Sequence, residues 1–114
     1  MFLAITGENF HQEVLDASGL VLVSFWAPWC GACRWVNPLL HQFQAQVDTP
    51  LKIVSVNADN NFAIVNTYRL ATLPTVLVFY QGQVCDRIEG FQNREQFYQA
   101  LDRIYAQIPD LLSA

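Results

Sequence analysis

A chain of 114 residues that is 53% hydrophobic and only 14% charged can fill one compact core, and the same composition excludes a disordered chain. The net charge is -4, and the six basic residues, Arg34, Lys52, Arg69, Arg87, Arg94 and Arg103, stand singly, so there is no basic stripe to meet nucleic acid or an anionic membrane. We expect a single domain over residues 1–114. The start "MFLAITGENF" lacks Lys and Arg and has only a short apolar run, which does not fit a secretory signal. The longest other apolar run, Leu20 to Trp29 with Ser24 inside it, is too short to cross a bilayer. Three cysteines are too few and too unevenly spaced for a secreted disulfide scaffold. The expectation is a soluble cytoplasmic protein, in which a Cys-x-x-Cys is catalytic or metal-binding rather than structural.

Taken in chain order, Phe2 to Ile5 is a weak strand signal. "ENFHQEVLDAS" places Phe10, Val14 and Leu15 on one helical face, and Gly19 ends that helix. "LVLVSFW" (Leu20 to Trp26) is a continuous run rich in β-branched residues, as in a strand covered on both faces. From Gly31 to Val47, apolar residues at Val36, Leu39, Leu40, Phe43 and Val47 define one buried helical stripe. "LKIVSVNAD" reads as a second buried strand that ends in a polar turn at Asp59, Asn60 and Asn61. A short helix, "FAIVNTYR", follows. "TVLVFY" and "QVCDRIEG" form a hairpin around Gln81-Gly82. The last helix has Asn93 as cap and Gln96 three residues on, in the manner of a capping box, and its buried face is Phe97, Leu101, Ile104 and Ile108. Helical crossovers followed by a hairpin imply an α/β fold, a central mixed sheet with helices on both faces.

"FWAPWCGACRW" carries the chemistry. Cys30 falls where a buried strand hands over to a helix, and Cys33 one turn later, so the two sulfurs can reach bonding distance. Free N–H groups and the helix dipole favour negative charge at that end. A thiol there drops from about 8.5 to between roughly 3.5 and 7.5. The spacing therefore makes Cys30 the attacking thiolate, and Cys33, deeper in the helix, the residue that resolves the mixed disulfide. Two other readings stand beside this one. The cysteines could be inert buried thiols, or they could supply half of a zinc or iron–sulfur site shared between two chains. Within one chain, Cys85 lies on another strand, and His11 and His41 have no ligand spacing, so the four ligands of a zinc site are not assembled.

"FWAPWCGAC" (Phe25 to Cys33), "TLPT" (Thr72 to Thr75), Gly82 and Gly90 stand in the order and spacing of the thioredoxins, and the chain resembles that family over nearly its whole length, with a bacterial or cyanobacterial cast. The resemblance implies the thioredoxin-like fold, thiol–disulfide exchange through Cys30 and Cys33, and no metal or bound cofactor. It implies disulfide-containing client proteins, a thioredoxin reductase or other thiol as electron donor, and a monomer. Pro74 matches the family's cis-proline and Pro38 its helix-kinking proline. Trp29, Gly31 and Ala32 would surround the cysteines, with Trp29 shielding the sulfurs, and Leu73, Pro74, Gly90 and Phe91 would dock the client. Trp26 reads as packing. Trp35 reads as flanking packing or as an extension of the docking surface. Arg34 either assists the thiolate or serves solubility, and Glu89, where the family offers an apolar residue, either selects basic partners or faces solvent. Cys85 reads as a strand residue, with a sensor role as the alternative.

Three positions depart from the family. Ala32 replaces the proline of Cys-Gly-Pro-Cys, which restores an N–H near the sulfurs and implies a less reducing pair. Ser24 and Ser55 replace a buried aspartate and the lysine often paired with it. Losing that base slows resolution by about 100-fold, whereas losing a buried negative charge eases thiolate formation at Cys33, so the two effects oppose each other. The same departures keep open a thioredoxin-fold binding module with little turnover, and Ala32 keeps open a disulfide oxidase or isomerase.

Overall fold

The computed structural model describes residues 2–113. Five strands, β1 (Leu3–Ile5), β2 (Leu20–Trp26), β3 (Leu51–Asn57), β4 (Thr75–Tyr80) and β5 (Gln83–Ile88), form one sheet in the order β1-β3-β2-β4-β5. β1 and β2 run parallel to β3, while β4 runs antiparallel to β2 and β5 to β4. The mixed sheet follows from the connections: a helix carries the chain from β2 to β3, and a two-residue turn joins β4 to β5.

Side-chain alternation divides the core in two. Leu20, Leu22, Ile53, Val76 and Val78 meet α1 (Cys33–Gln46) and α3 (Arg94–Ser113) through Val36, Leu40, Phe43, Phe97, Leu101 and Ile104. Val21, Val23, Phe25, Val54, Val56, Leu77 and Phe79 meet the helical turn at His11–Leu15 and α2 (Phe62–Thr67) through Phe10, Val14 and Ile64. Helices therefore cover both faces, and the middle strands are apolar on both sides, as the continuous runs of β2 and β4 require.

Three elements differ from their sequence readings. The first helix is a single wide turn, closed by Asp16 N–H to His11 O at 2.9 Å, a five-residue bond that keeps Phe10 and Val14 buried. α1 begins at Cys33 rather than Gly31 and ends at Gln46, so Cys30 lies in the loop before the helix and Cys33 is its first residue. Its body passes through Pro38, whose ring removes the N–H that would bond Arg34 O. β3 stops at Asn57, where the Asn57 side chain accepts the Asp59 N–H and starts a short 3-10 turn at Ala58–Asn60. The cap of α3 is as expected at Asn93, whose Oδ1 accepts the Gln96 N–H at 2.9 Å; Gln96 returns a bond to the N–H of Gln92, one residue earlier than a capping box would place it.

The hairpin turn carries φ values of 52° at Gln81 and 79° at Gly82, as a two-residue turn with the twist of its strands demands. A Cβ at Gly82 would lie 2.9 Å from the Leu15 carbonyl oxygen, which ties the turn to the first helical turn. Gly82→Ala should therefore cost about 2 kcal/mol through left-handed strain and the displaced carbonyl. The check is the urea midpoint, expected to fall with its slope unchanged; an unmoved midpoint would mean that the turn tolerates a side chain.

Candidate active site

Strand register assembles the site. Phe25 at the end of β2 pairs with Thr75 at the start of β4, and Val76 pairs with Ile88 at the end of β5. The segments that follow β2, precede β4 and follow β5 thus meet at one end of the sheet, carrying Cys30 and Cys33, Leu73 and Pro74, and Gly90 and Phe91 respectively. The Leu73–Pro74 peptide is cis, and Pro74 is buried. Thr75, fully buried, donates its hydroxyl to Thr72 O at 2.6 Å and pins the turn from inside.

Cys30 and Cys33 are joined by a disulfide, with their Cα atoms 5.5 Å apart. In this oxidised state the two are almost equally buried, 6% and 7% exposed, rather than graded in depth. Ala27, Trp26 and Leu73 pack against them, so Trp26, read from sequence as general packing, helps to cover the sulfurs. Trp29 instead stands 68% exposed, with its indole N–H donated to Asp59 Oδ1 at 3.1 Å. A groove of about 250 Å³ opens between Trp29, Asp59 and Leu70 to Leu73.

The helix end supplies donors. The Cys30 N–H bonds Ala27 O at 3.1 Å, and the first backbone bonds of the helix are given by Arg34 to Gly31 O and Trp35 to Ala32 O, both at 3.3 Å. Among the described residues the N–H groups of Gly31, Ala32 and Cys33 have no backbone acceptor, as the first turn of a helix dictates. Unpaired N–H groups at a helix start favour negative charge there. Gly31 is exposed and Ala32 partly so, and a Cβ at Gly31 would meet nothing within 4 Å.

Within the sheet, Ser24 pairs in register with Ser55 across β2 and β3. Ser24 is 2% exposed and alternates with Leu20 and Leu22, which places it on the α1 face of the sheet. Phe91 is half-buried on Trp35 at a centroid distance of 5.6 Å, and Trp35 also meets Phe97 at 5.8 Å. Glu89 is paired with Arg87 at 3.1 Å rather than standing free. Cys85 is exposed in the bulge of β5, between the pairs Phe79–Val84 and Val78–Asp86; partial desolvation raises its thiol pKa, a backbone hydrogen bond at Tyr80 opposes the rise and the Asp86 carboxylate adds to it. No three His, Cys, Asp or Glu side chains are grouped to hold a metal among the described residues, and no described helix is long and apolar enough to cross a membrane.

Two contributors escaped the sequence reading. Asp59 was legible only as a turn residue, and its bond to Trp29 spans 30 positions. Arg87 reaches from β5 to Tyr68 O at 2.7 Å and Arg69 O at 3.4 Å, which straps the turn that leads into Leu73 and Pro74. Backbone carbonyls leave no mark on the sequence, so nothing there announces that strap.

A family model described as Thioredoxin matches residues 1–103. The chain belongs to the thioredoxin family. It is a thiol–disulfide oxidoreductase by that membership and by its bonded Cys30–Cys33 pair. It is 39% identical over 100 residues to Thioredoxin 1 of Synechococcus elongatus, an overlap of 88% of this chain and 94% of the relative. Thioredoxin 1 of Nostoc sp. is 38% identical over 99 residues, 87% of this chain and 92% of its own. A thioredoxin of Staphylococcus aureus is 34% identical over 99 residues, 87% and 93% of the two chains. The Ser24–Ser55 pair is uncharged, and Ser24 is buried.

That pair makes a stability prediction. Ser24→Asp would bury a carboxyl among Leu22, Val76 and Ser55, and desolvation would raise its folded pKa above the unfolded value of about 3.9. Since the folded state would then hold the proton more tightly, the deficit against wild type should be small below pH 4 and widen as pH rises towards neutrality. Urea midpoints of both proteins at pH 4 and pH 8 check this. A deficit that is absent at pH 8 would refute it.

Proposed function

We propose that this thioredoxin reduces disulfides in other proteins, with Cys30 as attacking and Cys33 as resolving residue. The Cys30 thiolate attacks one sulfur of the client disulfide; a mixed disulfide forms, and the first client sulfur leaves as thiolate and takes a proton. Cys33, deprotonated, then attacks Cys30 Sγ, expels the second client thiolate and leaves the Cys30–Cys33 disulfide. Two electrons pass to the client. A thioredoxin reductase or a small thiol returns them, and the protein needs neither metal nor bound cofactor.

The observation that carries this reading is a disulfide set at a helix start whose N–H groups at Gly31, Ala32 and Cys33 lack backbone acceptors, facing a cis Leu73–Pro74 peptide. Trp29, Gly31, Leu73, Pro74, Gly90 and Phe91 line the docking surface in this reading, and Ala32 tunes the pair. The remaining parts of the proposal are a monomeric, single-domain protein of the cytoplasm, serving cell redox homeostasis by electron transfer. The uncharged Ser24 and Ser55 favour a second reading, a binding module with slow turnover, because neither side chain can accept the Cys33 proton at neutral pH.

Reduction of a disulfide-bearing protein, by wild type beside Cys33→Ser and with dithiothreitol or thioredoxin reductase as donor, separates the two. Turnover by wild type and a mixed disulfide trapped on Cys30 in the variant is the expected result. Failure with both donors would leave the binding module.

The same surface predicts an effect at Ala32. Its φ of -66° already suits proline, so Ala32→Pro removes the N–H with little backbone strain. Thiolate stabilisation is lost, and the potential of the pair should fall by tens of millivolts, with 30 mV corresponding to about 1.4 kcal/mol. A glutathione redox titration of both proteins reads the difference; a potential that stays level or rises would exclude a role for the Ala32 N–H.

A further inference from the structure

Half of the six basic side chains are committed to partners. Lys52 pairs with Glu13, Arg87 with Glu89, and Arg103 with Asp86. Arg34, Arg69 and Arg94 have no carboxylate partner among the described residues. Arg34 follows Cys33 directly in the first turn of α1, and Arg94 opens α3 just past Gly90 and Phe91. Arg69 belongs to the turn that leads to Leu73 and Pro74.

Arg94 is also held in place. Its guanidinium carbon lies 5.7 Å from the centroid of the Trp35 ring, which is itself set edge-on against Phe91 and Phe97. A guanidinium set over an aromatic face keeps its N–H fork available, the arrangement that suits a carboxylate. The acids that could occupy the rim are largely engaged: Glu89 by Arg87 and Asp59 by the Trp29 indole. Glu95 is exposed beside Arg94 in sequence, yet it lies about 100° further round the helix.

We propose that Arg94, set over the Trp35 ring, and Arg34 form a carboxylate-binding rim of the docking surface, so that this thioredoxin prefers client segments carrying Asp or Glu beside their disulfide. In a chain of net charge -4, such a local rim offsets the general repulsion of acidic clients at the one place where they must approach. The preference rests on the protein-disulfide reductase reading above.

The test compares two disulfide peptides that differ only in flanking Glu against Gln. Pre-reduced protein reduces each in a single turnover, at low and at high salt. Wild type should reduce the Glu peptide about two- to fivefold faster at low salt, the range of one or two exposed ion pairs, and the ratio should shrink as salt rises. Arg94→Gln with Arg34→Gln should bring the ratio close to one, whereas Arg103→Gln with Lys52→Gln, which removes the same two charges elsewhere, should leave it as in wild type. Because the ratio is read within one preparation, a loss of folded protein cancels. Two peptides reduced equally by wild type would overturn the rim alone, as would a ratio that survives the rim substitutions or falls equally with Arg103→Gln and Lys52→Gln. Reduction of neither peptide would overturn the reductase reading, and the rim with it.

Discussion

β2 is paired along seven residues with β3 and along six with β4, and both pairings must be in register for the active-site segments to meet. A slip of one residue would send Ser24 to the face of Phe10 and Val14 and turn Phe25 towards α1. It would also separate Thr75 from the end of β2, where it pins the cis turn. Neither strand has a polar face to fix its register by solvation. Registration must instead come from the shapes of the two cores and from the ends: the Gln81–Gly82 turn against Leu15 at one end, and the Thr72–Thr75 bond at the other. The geometry of the disulfide is therefore a consequence of packing at a distance from it.

An uncharged centre changes how such a site can work. With serines at 24 and 55, these paired strand positions hold no buried ion, so the sheet avoids the desolvation cost that an aspartate there would impose. The resolving thiol must then give its proton to water or to the departing client thiolate. In the proposed reading, charge is ordered instead by the helix-end N–H groups and by the arginines of the rim, which leaves the core apolar.

Much of this architecture could be read from the chain. β2 and β4 coincide with their apolar runs, and the strand-to-helix junction carrying Cys30 and Cys33 followed from periodicity alone, because burial on both faces and on one stripe leaves distinct patterns. Boundaries were less legible where side chains compete for backbone. Asn57 halted β3 two residues early by capping the next turn, and the first helix widened so that Phe10 and Val14 could both reach the sheet. The partner sets of Trp29 and Arg87 were hidden for a different reason. Each depends on which surfaces the fold brings together, 30 positions apart in one case and through main-chain carbonyls in the other.

The Arg87 strap shows what that hidden layer does. Arg87 sits on the edge strand β5, and two of its guanidinium nitrogens hold the carbonyls of Tyr68 and Arg69, where Arg69 takes a φ of 53°. The strap therefore holds a left-handed turn four residues ahead of Leu73 from the edge strand. The edge of the sheet and the docking loop are thus one mechanical unit. Glu89 adds to it by accepting a bond from the outer nitrogen of Arg87, so the side chain read from sequence as a selector of basic partners or a solvent-facing group is also tied to the strap.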